Sequence, residues 1–527
     1  MKKLSLIPLL VLGLHAYAQH DDASRFASLI TTDGLQKHLT IIAGEEMQGR
    51  ETGTEGQRKA AAYIESQFKL TGLGMPEGMG NYQQFYPLHK DSMTGCKLMA
   101  DGRELAQGTD YIIPATTNDN GNFSSSSFVF VGYGIEDPNY NDYTGLDVKG
   151  KTIILFLGEP KKDGKYLVNG TTRSSEWTFP GLSKKLALAA QKGAAGVLVI
   201  NPNMETFNKR TVDNSKKTNM YYPRNKGDKK LNFANLSHAP ASILLGNTFD
   251  SLLKRSKNNL PFKKDELFEK NIPVLYNYTE QREVINASNV LGIVEGTDKK
   301  DEYVFLTAHY DHLGMHDGKI YYGADDDGSG TAGIIHMAEA FAKAKKAGKG
   351  PRRTVVFMAV SGEEKGLLGS EYYSENPVYP MEKTSVDLNI DMVGRIDTER
   401  KTADTLNYVY VVGHDKLSSD LPVINEGVNN KYCNLVLDYK FDDPNDPNRI
   451  YFRSDHYNFA RKGVPVLFFY DGMLKSDYHK PTDTIDKINW PLFEKRVRMI
   501  FHTAWEMANR DNMLKRDIPL PESALQR

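Results

Sequence analysis

From Asn289 onward the sequence alternates between short apolar runs and stretches with helical spacing, and this alternation restricts the fold more than any other feature. The runs cover 290–294, 303–308, 354–360, 386–390, 408–412 and 464–470. Between them, 330–344 sets Ile334, Met337, Ala338 and Phe341 on one helical face. The stretch 491–508 does the same with Phe493, Val497, Ile500, Phe501 and Ala504. Strands alternating with helices predict an α/β domain with a mixed, mostly parallel sheet and helices on both faces.

Five segments at the ends of these strands, or in the loops that follow, carry residues that bind metals. They are His309-Tyr310-Asp311, the acidic run Asp325-Asp326-Asp327 before the first helix, Glu363-Glu364, Asp391, and His479 in a late loop. In open α/β sheets the ligand crevice lies beyond the carboxyl ends of the strands, so residues far apart in sequence can converge there. Imidazole and carboxylate together suit zinc, and a thiolate-free, acid-rich set can hold two ions with one carboxylate between them. Each segment alone has an ordinary explanation. His-x-Asp is commonly a surface pair, three Asp before a helix commonly cap it, and Glu-Glu after a strand is commonly solvated. Their order and shared placement carry the argument.

With Gly323-Ala324-Asp325-Asp326, Glu363-Glu364-Lys365-Gly366-Leu367-Leu368-Gly369-Ser370, Asp391-Met392-Val393-Gly394 and Tyr478-His479 through Asp483, the chain resembles the co-catalytic two-zinc peptidases. That family includes secreted bacterial aminopeptidases, glutamate carboxypeptidase and the transferrin receptor ectodomain. The resemblance covers roughly 30–110 and 285–510 and implies a zinc exopeptidase fold with two Zn2+ per chain. It implies that His309 and Asp391 bind one ion, that Glu364 and His479 bind the other, and that Asp326 bridges. Asp311 would accept the proton of His309, and Glu363 would be the general base. The stretch 111–284 resembles the β-rich protease-associated domain inserted in such enzymes, on Gly132-Tyr133-Gly134-Ile135, Lys149-Gly150-Lys151 and the stretch 189–200. Its residues 241–245 read as a strand. The polar stretch 201–232 reads as a solvated insertion rather than an anion- or glycan-binding loop, since Asp213 and Asp228 dilute its lysines and arginines.

The expected organisation is a signal peptide at 1–18, a discontinuous peptidase domain at 24–110 and 285–515, the inserted domain at 111–284, and a tail at 516–527. Lys2 and Lys3, an apolar run to Leu14, and Ala16-Tyr17-Ala18 predict export, to the periplasm or beyond the cell, with cleavage after Ala18. That run is shorter than the roughly 20 residues of a membrane span. A net charge of -1 over 527 residues gives no attraction to nucleic acid. Two cysteines, Cys96 and Cys433, exclude a disulfide scaffold and leave their pairing open. The expected partner is a peptide substrate, and the oligomeric state is open.

Three other readings compete. Glutaminyl cyclase uses one zinc, whereas all five ligands stand here. A receptor-like ectodomain loses ligands or the base, and none is lost. A carboxypeptidase shares the metal set but needs a cationic clamp. Arg395, Arg449, Arg453 and Arg461 form no dense cluster near a ligand, while Asp325, Asp327 and Asp455 offer acceptors for an ammonium, so cleavage from the amino end is expected. Ser454-Asp455-His456 reads as a pocket wall rather than a triad. Calcium at Asp442, Asp443 and Asp446 is disfavoured against an exposed turn. His312 and His316 read as loop surface, and His336 and His502 as helix-packing residues.

Overall fold

The computed structural model describes residues 22–179, 181–223, 231–402 and 404–525. The signal-peptide segment lies outside them, as do residues 224–230 of the basic stretch. The chain forms two compact units, one from the residues up to Pro87 together with Asn286 onward, the other Leu88–Ile285.

The first unit is built, in chain order, from α1 (Thr32–Ile42), α2 (Glu55–Thr71), β1 (Val274–Val294, whose residues 290–294 belong here), β2 (Lys299–His309) and α3 (Gly328–Lys346). There follow β3 (Arg353–Val360), α4 (Leu368–Glu375), β4 (Thr384–Ile390), β5 (Tyr408–Val412), α5 (Asp420–Tyr432), β6 (Val436–Asp438), α6 (His456–Ala460), β7 (Val466–Tyr470) and α7 (Trp490–Asn509). The sheet order is β1-β3-β2-β4-β7-β5-β6. Strands β3, β2, β4 and β7 run parallel, and β1 and β5 pair antiparallel at either side. A strand's side chains alternate between faces, and both faces are apolar. Val304, Leu306, Ala308, Phe357 and Leu388 face one core, and Phe305, Val356, Met358 and Val466 face another. Helices cover both: Ile334, Phe341, Phe493 and Val497 sit in the first core, Tyr373 and Phe459 in the second. Phe341 lies 4.7–5.8 Å between ring centroids from Phe357, Phe501 and Trp505, a burial that contributes about 1.5–3 kcal/mol. Helix α7 starts where Asn489 accepts from the Leu492 amide, with Pro at the first turn.

The second unit has a six-stranded sheet in the order 268–270, 128–130, 152–156, 196–200, 233–236, 111–112. The middle four strands are parallel, and the helix Leu182–Gln191 makes one crossover. Residues 88–110 belong to this unit rather than to the first: Leu98 and Ala100 lie in its core, and His89 bridges to Tyr221. The boundary is therefore at 88, not 111. Residues 241–245 are not a strand. They end the helix His238–Leu245, with Ser237 at its N-cap and Pro240 in the first turn, where a missing N–H costs nothing. Cys96 and Cys433 are free thiols. Among the described residues no helix is long and apolar enough to cross a membrane.

Candidate active site

Four parallel strands deliver the site. His309 is the last residue of β2, Glu363 and Glu364 follow β3, Asp391 follows β4, and His479 stands in the loop after β7. Asp325, Asp326 and Asp327 enter α3, and the Asp326–Asp327 peptide bond is cis. The three aspartates have separate tasks. Asp327 is the cap of α3, its Oδ1 accepting from the amides of Gly330 (2.7 Å) and Met392 (3.1 Å). Asp325 accepts from the amide of Gly394 at 2.8 Å. Asp326 turns its two oxygens to two histidines: Oδ1 lies 3.3 Å from His309 Nε2, and Oδ2 lies 3.2 Å from His479 Nε2. Asp483 sets that turn, since its Oδ2 accepts from the amides of both Asp325 (3.0 Å) and Asp326 (3.1 Å).

Around these contacts the remaining acids close in. Asp391 Oδ1 is 3.5 Å from His309 Nε2, and Glu364 Oε2 is 3.1 Å from His479 Nε2. Ligand atoms bound to zinc at 2.0–2.1 Å in a tetrahedron stand about 3.4 Å apart, so these spacings fit two ions, one on either side of Asp326. Orphaned atoms agree: His309 Nε2, Asp326 Oδ2, Asp327 Oδ2 and Glu364 Oε1 are buried without a hydrogen-bond partner, a costly state that a cation relieves. The cluster is rich in negative charge. Burial alone depresses His309, yet Asp391, Glu363 and Asp326 raise it well above its usual value. His479 is likewise raised, against burial, to about 10 by Asp326 and Glu364. Conversely, the histidines hold Asp326 well below the carboxylate range and Glu364 at about 2, although burial works against both. Bound divalent ions would supply this positive charge with the imidazoles neutral.

All of His309, Asp326, Glu363, Glu364, Asp391 and His479 are thus brought together. Asp311 is placed differently from expectation. His309 Nδ1 donates to the backbone carbonyl of Asp311 at 3.0 Å, while the nearer carboxylate oxygen is 3.8 Å away. That carboxylate accepts instead from Thr52 Oγ1 (2.6 Å) and from the amide of Glu363 (3.2 Å). Asp311 fixes the His309 tautomer through its main chain and positions the Glu363 backbone with its side chain. Glu363 Oε2 lies 3.8 Å from His309 Nε2, and burial pushes this carboxyl well above its usual value.

Several neighbouring residues depart from their expected places. His312 is fully buried, not loop surface, with Nδ1 2.8 Å from Glu364 Oε1. Asp327 also belongs to the cluster: its free oxygen groups with His309 and Asp391, as His312 does with Asp326 and Glu364. Asp325 and Asp455 are fully buried, Asp455 being pushed by burial up to about 7, so neither presents a carboxylate to a substrate. Ser454 and His456 are buried too and line neither cavity described below. Asp442 holds Lys416 (3.0 Å) and His414 (2.5 Å), so an ammonium stands where calcium was considered. His336 and His502 are buried on α3 and α7, and His316 is exposed.

Arg50 sits in no motif that marks it in the sequence, yet it organises the site. Its fully buried guanidinium donates to the carbonyls of Tyr310 (2.7 Å), Ile42 (2.7 Å), Tyr322 (2.8 Å) and Gly323 (2.9 Å). It pins the two loops that carry His309 and Asp326. The neighbouring Gly49 (φ 67°) is required because a Cβ there would stand 2.5 Å from the carbonyls of Gly314 and Tyr321. Arg50→Ala strands four buried carbonyls and should lower stability by roughly 3 kcal/mol or more. A shift in the urea midpoint worth under about 0.5 kcal/mol, the scale of an ordinary surface substitution, would show that the loops hold themselves.

Two cavities meet at Glu363, Arg453 and Tyr478. One is a narrow recess of about 30 Å³ beside Asp326 and Asp391, walled by Met392, Ile450, Phe468 and Leu474. The other, about 600 Å³, opens past Glu364, Asn448, Arg449 and Phe452. Arg453, one of the arginines near the site loops, borders both; its Nη2 donates to the Tyr478 hydroxyl at 2.8 Å.

Residues 289–504 match the profile of peptidase family M28. A probable leucine aminopeptidase of Arthroderma otae is 28% identical over 226 residues, 42% of this chain and 57% of the relative. A probable glutamate carboxypeptidase of Arabidopsis thaliana is 34% identical over 116 residues, 22% of this chain and 16% of that protein. A probable zinc metalloprotease of Pyrenophora teres is 33% identical over 128 residues, 23% and 26% of the two chains. The chain thus spans at most 57% of the length of these relatives. In fold it is similar to an aminopeptidase from Aneurinibacillus sp. strain AM-1, with a TM-score of 0.51 at 18% identity over 95% of this chain and 98% of that one.

Proposed function

On the premise that residues 289–504 place the chain in peptidase family M28, we propose that it is a zinc-dependent aminopeptidase holding two ions per chain. One ion would be held by His309 and Asp391, the other by Glu364 and His479, with Asp326 between them. Bound zinc polarises a scissile carbonyl and lowers the pKa of water towards about 7. The remaining work belongs to the chain's own residues. Glu363, its backbone fixed by Asp311, takes the proton of the attacking water on a carboxylate oxygen and returns it to the leaving amine. The Tyr478 hydroxyl accepts from Arg453 and keeps its own proton, because burial raises its pKa far above neutrality. It would donate to the oxyanion as charge develops there.

The observation that carries the amino-end reading is the narrow recess, bordered by the three acids Asp326, Glu363 and Asp391. With Asp326 and Asp391 committed to the ions and Glu363 to the proton, the oxygens they leave uncommitted are what the recess offers a terminal ammonium. Relatives described as aminopeptidases support the same direction. The carboxypeptidase reading draws on Arg453 at the same border. Acetylating the N-terminus of a good peptide substrate is expected to abolish hydrolysis, measured by product release. Rapid turnover of the acetylated peptide would leave the carboxyl-end reading standing. Export, with cleavage after Ala18, belongs to the same proposal and rests on the sequence of residues 2–18.

A further inference from the structure

His479 is the least sheltered of the five residues assigned to the ions. Its side chain is 36% exposed, against 10% or less for His309, Asp326, Glu364 and Asp391. It stands on no strand or helix, and its left-handed φ of 56° is uncommon for a residue with a Cβ. What keeps its ring on Asp326 and Glu364 is the loop around it. The Lys480 amide donates to the Asp477 carbonyl at 2.9 Å, and the Asp483 amide to the Lys480 carbonyl at 3.1 Å. The 477–483 segment thus makes two successive turns with a carboxylate at each end.

Both carboxylates face one guanidinium. Arg395 Nη2 lies 2.8 Å from Asp477 Oδ2, and Arg395 Nη1 lies 3.8 Å from Asp483 Oδ1. The latter two atoms are buried and, among the described residues, have no hydrogen-bond partner, so each compensates the charge of the other. Arg395 is itself anchored, four residues after Asp391. Its amide donates to Asp471 Oδ2 at 2.7 Å, and its carbonyl accepts from Arg496 Nη1 at 2.6 Å. It lines neither cavity.

We infer that Arg395 is the positioning residue for the ion on Glu364 and His479, holding the His479 loop against the segment that carries Asp391. The inference rests on the two-ion reading and is independent of the direction of cleavage. Without the guanidinium the loop would keep its own ties, because Asp477 also accepts from Lys487 Nζ at 2.6 Å and from Thr482 Oγ1. Asp483 Oδ2 would still accept from the Asp325 and Asp326 amides, so Asp326 would keep its place. The loss falls on the link between the two segments, and therefore on one ion.

The test measures zinc affinity of the full chain by competition with a chelator, one ion being removed at a time. In an Asp391→Ala background the remaining ion is the one on Glu364 and His479. Adding Arg395→Gln there should weaken it about tenfold to a hundredfold, the scale for a residue that orients a ligand. In a His479→Ala background the remaining ion sits on His309 and Asp391, and the same substitution should alter its affinity by less than about twofold, as for independent sites. Arg395→Lys should recover part of the loss, since an ammonium is a point charge where the fork spans two carboxylates. Asp477→Asn removes one arm of the link without touching the arginine and should weaken the same ion. Equal weakening in both backgrounds would make Arg395 a general support of the fold, and no weakening in the Asp391→Ala background would detach it from His479. Either result would overturn the inference. A wild-type chain that takes up fewer than two ions would instead defeat the two-ion reading itself.

Discussion

Glu363→Gln should retain both zinc ions and lose kcat by about a hundredfold or more. The change keeps size and removes only the ability to accept a proton. The Glu363 main chain is tied to Asp311, so the amide would occupy the place of the carboxylate without moving the loop. General-base catalysis contributes about 10²–10⁴-fold, and that is the expected deficit, with KM little altered. Glu364→Gln should behave in the opposite sense, because Glu364 contacts His479 at 3.1 Å and His312 at 2.8 Å and is proposed to hold an ion. Zinc content by mass spectrometry, alongside kcat, separates the two. Reversed phenotypes would mean that the roles within the Glu-Glu pair are exchanged.

Replacing Asp326 should have a wider effect than replacing any other ligand. Among the described residues it alone faces both histidines, 3.3 Å from His309 and 3.2 Å from His479. Asp391 and Glu364 each serve one side. Asp326→Ala is therefore expected to reduce bound zinc from two towards none and activity to background. Asp391→Ala should lose one ion and leave the other measurable. Metal content against free zinc reads the difference, and equal, single-ion losses in the two variants would remove the bridging role from Asp326.

The convergence of His309, Glu363, Glu364 and Asp391 is legible in the sequence because they end or follow apolar runs, and parallel strands bring their carboxyl ends to one crevice. The separate tasks of Asp325, Asp326 and Asp327 are not, since three identical side chains differ only in the amides that reach them. The burial of His312 is hidden because its loop position suggests solvent, whereas the 49–54 segment covers it: the His312 amide donates to the Arg50 carbonyl. Residues 241–245 mislead for another reason. A short apolar run beside a proline suits a strand, but the proline falls in the first turn of a helix begun at His238. The boundary at 88 is concealed inside one long strand, Gln83–Ala100, which offers no break in composition.

Arg50 bears on how the protein can be cut down for study. A fragment cloned from residue 289 to 504 would contain every residue assigned to zinc and the base, and would cover the whole stretch that matches the family profile. It would lack the guanidinium that gathers the carbonyls of Tyr310, Tyr322 and Gly323, and the Thr52 hydroxyl on Asp311. The smallest workable fragment must therefore keep α1, α2 and the turn between them, either in the native order or joined ahead of β1 by a linker. Supplying residues 22–87 as a separate chain is a complementation experiment in its own right. Restored zinc binding there would measure how strongly the leading segment assembles a centre to which it gives no ligand.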